Sequence, residues 1–334
     1  MKILITGGYG FVGKHLVAYL RANTDHELLV PLKYDGSNEC WKRANALNTF
    51  CMNPLSFTNI DVAVSNIKPD VIIHLAGVVG GIGFNIGNQG KLLNDNLLMG
   101  MNILNVAKHN NVRKVIMMGT TCSYPCTPRT IPFIEDELFD GMPEITNSGY
   151  GIAKRTLVKM GIEYSKQYGM NIVNLIPTNM VGEHDHFEAN KSHVIPALIN
   201  KFEQSRLNQK LSLTDEDGHE YDTFVTLWGT GSASRDFLYA GDCARAIAIA
   251  IEKDVSPEPI NLGCGQEITI KSLAEMIKRI GNYNSDIVWD STKPDGQPRR
   301  ALDISRAKEV LKWEPQVSVE EAIRRTINWY RNQA

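Results

Sequence analysis

The chain's first strand-like run ends in a glycine turn, ILITGGYGFVGKHL. Lys2 to Thr6 reads as a short buried strand, and the run from about Phe11 to Ala22 as a helix. Between them Gly7, Gly10 and Gly13 keep a G-x-x-G-x-x-G spacing. Glycines let the backbone turn tightly and approach a pyrophosphate, and the helix start offers free N–H groups at its positive end. A glycine triplet alone is weak; its place between a strand and a helix makes it a dinucleotide-binding signal. Gly8 to Lys14 also fits G-x-x-x-x-G-K, but His15 follows where an ATP loop needs Ser or Thr for magnesium.

The rhythm downstream agrees. Glu27–Lys33, Asp70–Leu75, Lys114–Met118 and Asn171–Ile176 are β-rich runs, separated by long helical stretches such as Gln89–His109 and Tyr150–Tyr168. Strands alternating with helices imply parallel β-α-β units, hence an α/β Rossmann fold with a doubly wound sheet. After Pro177 the rhythm loosens: a helix at Val194–Phe202, a polar run Asp215–Thr223 read as a solvated hairpin or loop, then helix, strand and helix. The expected division is a dinucleotide-binding domain over 1–178 with a returning segment at about 233–256. A smaller α/β substrate-binding domain takes 179–232 and 257–334.

A chain of 334 residues with 43% hydrophobic content can bury a large core, and a net charge of −2 gives no global case for nucleic acid or anionic membrane. Six cysteines without a CxxC pair argue against zinc and fit free thiols in a reducing cytosol. The N-terminus has no leader-like pattern, and no run approaches the ~18 apolar residues of a membrane helix. The expected location is cytoplasmic.

The second strand bears on NAD against NADP. A carboxylate at its end suits a ribose 2′-hydroxyl and a cation suits a 2′-phosphate. The strand ends Leu32-Lys33-Tyr34-Asp35, and Lys33 at its tip favours NADP(H). Tyr150 and Lys154 stand at i and i+4 on one helix face. An ammonium there is expected to lower the phenol pKa and prepare it to exchange a proton with a sugar oxygen. Upstream, MMGTTCSYP places Thr120 where it can share that oxygen.

With HLAG at 74–77, these residues resemble the extended short-chain dehydrogenase/reductase family. The segments GVVGGIGFNI, TTCSYP, IPTNMVGEHDHFE, SHVIPALI, WGTGSASRDFLYAGD and TKPDGQPRRALD narrow the likeness to the GDP-L-fucose synthases, over the whole chain. That resemblance implies NADPH-dependent 3,5-epimerisation and 4-reduction of a GDP-4-keto-6-deoxy hexose by a homodimer. It implies Cys122 and His184 as base and acid of epimerisation, because a ketone acidifies the hydrogens on its neighbouring carbons. Thr120, Tyr150 and Lys154 would serve reduction. Phe11, Val12, Leu75, Ala76, Gly77, Pro177 and Asn179 would join the glycines and Lys33 around the cofactor. Arg235 and Lys293 would meet the nucleotide or its phosphates, with Asn179, Lys191, His193, Val194 and Trp228 in the same pocket. His186 reads as a polar pocket or loop residue, since H-x-H without further ligands makes a poor metal site.

The chain departs from the family pattern at three places. Thr120 stands for a common Ser, an Asp near the adenine is replaced within Asn53–Ser56, and the run Asp215–Thr223 is inserted. Other readings remain open at this point: C4 reduction alone on another GDP-4-keto-6-deoxy sugar such as a heptose, or an NAD-dependent nucleotide-sugar 4-epimerase. A 4,6-dehydratase would carry an acidic pair where Cys122 and Ser123 stand. A non-catalytic NADP-binding regulator would typically have lost Tyr150 or Lys154.

Overall fold

The computed structural model describes residues 1–34, 37–46, 49–188, 192–211, 224–293 and 295–333. Asp35, Lys191 and the run 215–223 lie outside the described residues. The chain begins with β1 (Lys2–Thr6), α1 (Phe11–Asn23), β2 (Glu27–Leu29), β3 (Leu32–Lys33), α2 (Asn38–Ala46), β4 (Cys51–Met52), α3 (Phe57–Ile67) and β5 (Val71–His74). It continues with α4 (Ile82–Gly87), α5 (Gln89–His109), β6 (Lys114–Met118), α6 (Ser148–Tyr168) and β7 (Ile172–Pro177). Next come β8 (Asn179–Val181), α7 (Val194–Leu211), β9 (Phe224–Trp228), β10 (Ser234–Tyr239), α8 (Ala240–Glu252) and β11 (Ile260–Leu262). The last elements are β12 (Glu267–Thr269), α9 (Ile270–Gly281), β13 (Asp286–Asp290), β14 (Arg299–Arg300) and α10 (Val319–Arg331).

The central sheet is parallel throughout, in the order β11-β7-β6-β5-β1-β2. Its inner strands are apolar on both faces because helices cover both. Ile3, Ile5, Val71, Ile73 and Ile116 point into one core with Leu16 and Leu20 of α1 and Ile247 and Ile251 of α8. Their alternates Leu4, Ile72, Val115 and Met117 point into the other, with Val64 of α3, Ile103 of α5 and Leu157 of α6. The two-residue period of a strand divides the two cores.

A second sheet holds β12-β10-β14, with β8 paired to β10. Behind it, Phe202 of α7, Ile277 of α9, Ile323 of α10 and Phe237 share a further core. Because β8 leaves β7 after a single residue, this sheet stands against the C-terminal edge of the central one. No helix among the described residues is long and apolar enough to cross a membrane.

Four details differ from the sequence reading. The run Glu27–Lys33 is two strands: β2 pairs with β1, whereas β3 pairs with β4. Pro31 lies between them and has no N–H for a ladder. The helix expected to end at Phe202 runs on to Leu211. Within the segment 233–256, β10 belongs to the second sheet while α8 packs on the central one, and β11, placed in the substrate domain, is the outermost strand of the central sheet. Finally, Cys40 and Cys51 form a disulfide, with Cα atoms 6.5 Å apart. Pairing of β3 with β4 beneath α2 brings them together, which spacing without a CxxC motif does not reveal.

Candidate active site

In an open parallel sheet, ligands bind beyond the C-terminal strand ends. Here those ends carry the glycine turn after β1, Leu75–Gly77 after β5, Thr120 and Cys122 after β6, and Pro177 and Asn179 at the β7–β8 junction.

Gly7 has φ 73°, and a Cβ on it would lie 2.7 Å from the Ala76 backbone nitrogen. A Cβ on Gly13 would strike the Gly7 carbonyl oxygen and the Gly8 backbone. Gly10 caps α1 without a side chain, and the first turn of that helix holds no acid. Its N–H groups therefore face the strand ends free of side-chain caps. Phe11 and Val12 follow half-buried, and Lys33 is exposed at the tip of β3. The two turns are tied from below: the Thr6 hydroxyl lies 2.8 Å from His74 Nδ1 and accepts from Ala76 N at 3.3 Å. Burial, aided by the charge of Lys154, lowers the His74 pKa to about 3, so its imidazole is neutral at ordinary pH.

Lys154 is buried on α6 and donates to the Met118 carbonyl at 3.0 Å. Burial lowers its pKa to about 8. A Cβ on Gly77 would lie 3.8 Å from its Nζ, so the HLAG turn meets the Tyr-x-x-x-Lys helix face. Thr120 caps a short 3-10 turn, Thr121–Ser123, accepting from Cys122 N at 3.2 Å. Tyr150 faces both residues. Burial pushes its phenol above the ordinary tyrosine range and Cys122 adds to this, while a hydrogen bond from Thr120 offsets part. The expected lowering by Lys154 is thus not what this site shows: desolvation dominates, and the ammonium is held by Met118.

Two guanidinium groups close the far side. Arg235 donates to the carbonyls of Ser234 at 2.7 Å and Gln297 at 2.6 Å. Burial lowers its pKa to about 10, helped by the like charge of Arg300 and opposed by Cys122 and nearby acids. Arg300 is buried on β14 and reaches the Cys122 sulfur at 3.5 Å. In the segment TKPDGQPRRALD the sequence singles out Lys293, and the structure adds Arg300 and Gln297 to the site, with His74 of the HLAG motif beneath it. The cation-rich PRR was the available signal.

Other candidates stand elsewhere. Asn179 donates to the Asp236 carbonyl at 3.1 Å. His184, with φ 71°, packs between the rings of His15, 5.8 Å away, and Trp329, 5.1 Å away. Desolvation, then Lys14 and His15, lower its pKa. None of its described contacts is with Cys122. His193 lies 3.6 Å from Asp185, and Val194 begins α7. Trp228 is 57% exposed, with the Lys293 ammonium 5.8 Å from its ring centroid. That pair forms the outer rim, linked inward by Asp295, which binds Thr230 and feels the charge of Arg235.

Comparison with known proteins agrees with this arrangement. The model of the NAD dependent epimerase/dehydratase family matches residues 3–263. GDP-L-colitose synthase of Yersinia pseudotuberculosis is 35% identical, covering 100% of this chain and 99% of its own length. GDP-L-fucose synthase 1 of Arabidopsis thaliana is 33% identical over 98% of this chain and 93% of its own. Among solved structures, a GDP-L-fucose synthetase from Naegleria fowleri bound to NADP superimposes with a TM-score of 0.80. It is 25% identical and covers 99% of this chain and 94% of its own.

Proposed function

The chain belongs to the NAD dependent epimerase/dehydratase family, and from that premise we propose that it is an NADPH-dependent epimerase/reductase of a GDP-linked 4-keto-6-deoxy hexose, producing GDP-L-fucose. The observation that carries this reading is the meeting of Cys122 with Tyr150 and Thr120, next to Lys154, at the strand ends. Full-length likeness to enzymes of GDP-linked deoxysugars supports it.

The residues at the glycine turn fit a dinucleotide. Gly7 and Gly13 leave no room for side chains, and the uncapped start of α1 offers N–H groups to a pyrophosphate. Lys33 would meet a 2′-phosphate, and Leu75–Gly77 and Pro177 would flank the remainder. A cofactor held there would supply the hydride for reduction of the substrate ketone. Tyr150 gives the proton to the sugar oxygen, Thr120 shares that oxygen, and Lys154 holds positive charge nearby. Cys122 removes a hydrogen beside the 4-keto group, and His184 acts as the acid. Arg235 and Lys293 receive the nucleotide diphosphate, Arg through its planar fork of donors. Asn179, His193, Val194 and Trp228 complete that pocket. The enzyme works as a homodimer through α5 and α6 and resides in the cytoplasm.

A second reading, C4 reduction without epimerisation, draws on one observation: His184 packs against His15 and Trp329 rather than Cys122. The first reading requires faster oxidation of NADPH than of NADH with GDP-4-keto-6-deoxy-D-mannose, followed by nicotinamide absorbance. Tyr150→Phe should slow that oxidation by about 10²-fold or more. An unchanged rate in the variant contradicts the role given to Tyr150.

A further inference from the structure

We propose that Arg300 is the positioning residue that holds Cys122 as a thiolate, and so makes this sulfur a base. The inference rests on the function proposed above, in which Cys122 takes a carbon-bound proton. Arg300 is 7% exposed, and its described hydrogen bonds go to Gln297 Oε1 at 3.0 Å and Cys122 Sγ at 3.5 Å. Among the described residues no carboxylate pairs with it. A buried guanidinium remains charged and needs an opposing charge nearby. Of its two described side-chain partners, only the Cys122 sulfur can supply one.

The surroundings sharpen that assignment. Gln297 fixes the guanidinium: its Oε1 accepts from Arg300 Nε, and its Nε2 donates to the Cys126 carbonyl at 2.8 Å. Arg235 on β10 adds a second, half-buried cation, though its described hydrogen bonds go to two carbonyls. Tyr150 on α6 faces Cys122 as a neutral phenol. The acids that act on this cluster, Glu144 and Glu267, appear through Arg235, and Glu267 is bound by Arg299 at 2.6 Å. Cys122 thus accepts a hydrogen bond from one guanidinium, interacts with the charge of a second and faces a neutral hydroxyl.

The proton accounting closes. The thiolate electron pair forms the S–H bond as the substrate C–H bond breaks. The pair from that bond moves toward the ketone oxygen as an enolate. Return of a proton to the opposite face of carbon inverts the centre, and the thiol proton must leave before the next turnover.

The test reads the sulfur directly and requires no sugar substrate, so it stands apart from the substrate assignment. Iodoacetamide labelling of Cys122 is followed by peptide mass spectrometry, which separates it from Cys126 and Cys264. Near pH 7, Arg300→Gln should label about tenfold more slowly than the parent, with the difference vanishing in strong alkali. Arg300→Lys, which keeps the charge, should restore most of the rate. Equal labelling of parent and Arg300→Gln near pH 7 overturns the proposal. If Arg300→Gln does not fold, thiolate absorbance near 240 nm in the parent minus Cys122→Ser at neutral pH decides the matter: presence supports the assignment and absence overturns it.

Discussion

The role proposed for Lys154 requires a charge in a place where burial opposes one. The lysine's folded pKa of about 8 sets the pH window: the ammonium is lost as pH rises through that value. The rate of C4 reduction is therefore expected to fall above about pH 8. Stability moves the other way. The unfolded chain holds that proton more tightly, with a reference pKa of 10.5, so this residue's contribution to stability is full above 10.5 and is lost as pH falls toward 8. A pH–rate profile with a parallel unfolding series separates the two. Reduction that stays flat through pH 9 contradicts the role of Lys154. At this scale much was legible: the Tyr-x-x-x-Lys spacing and the hydroxyl-rich strand end mark groups that do meet. The Arg300–Cys122 contact spans 178 residues of sequence and arises only when β14 joins the second sheet beside β10. The depressed His74 pKa likewise depends on burial, which a motif does not record.

Among the elements, α5 and α6 pack against each other, and Gly100 leaves space there for Leu157. Their inner faces serve the core, with Ile103 and Leu104 on one and Leu157 on the other. Leu98, 37% exposed, remains outside it on α5. If these two helices form the proposed homodimer interface, sedimentation should give twice the chain mass for the parent, and Leu98→Asp should shift it toward the monomer with the fold intact by circular dichroism. A parent that sediments as a single chain contradicts the dimer. Helices α5 and α6 and the strands β1, β5, β6 and β7 were legible because each is long or strongly apolar. The split at Pro31 and the pairing of β3 with β4 were not. A two-residue strand carries no periodicity, and its partner is set by tertiary contact.

Across the whole molecule, the site exists because two sheets meet at one edge. Asp236 on β10 works at that meeting. Its carbonyl accepts from Thr178 and Asn179, both at 3.1 Å, and its carboxylate accepts from Cys264 N at 2.9 Å. The residues following β7 and those leaving β11 are thus tied to the second sheet. The parallel half is legible in the sequence, whereas the sheets that β10 and β11 join are not, because short strands are sorted by such long-range contacts. In the proposed function the assembled site exchanges protons next to a ketone through Cys122, and Tyr150 then completes the reduction. The most direct measurement incubates the protein with GDP-4-keto-6-deoxy-D-mannose in D2O without NADPH, follows C3 and C5 by NMR, and then adds NADPH. The proposed function requires deuterium at both carbons, followed by oxidation of NADPH and appearance of GDP-L-fucose. Oxidation of NADPH without deuterium at either carbon would contradict it and leave a C4 reductase.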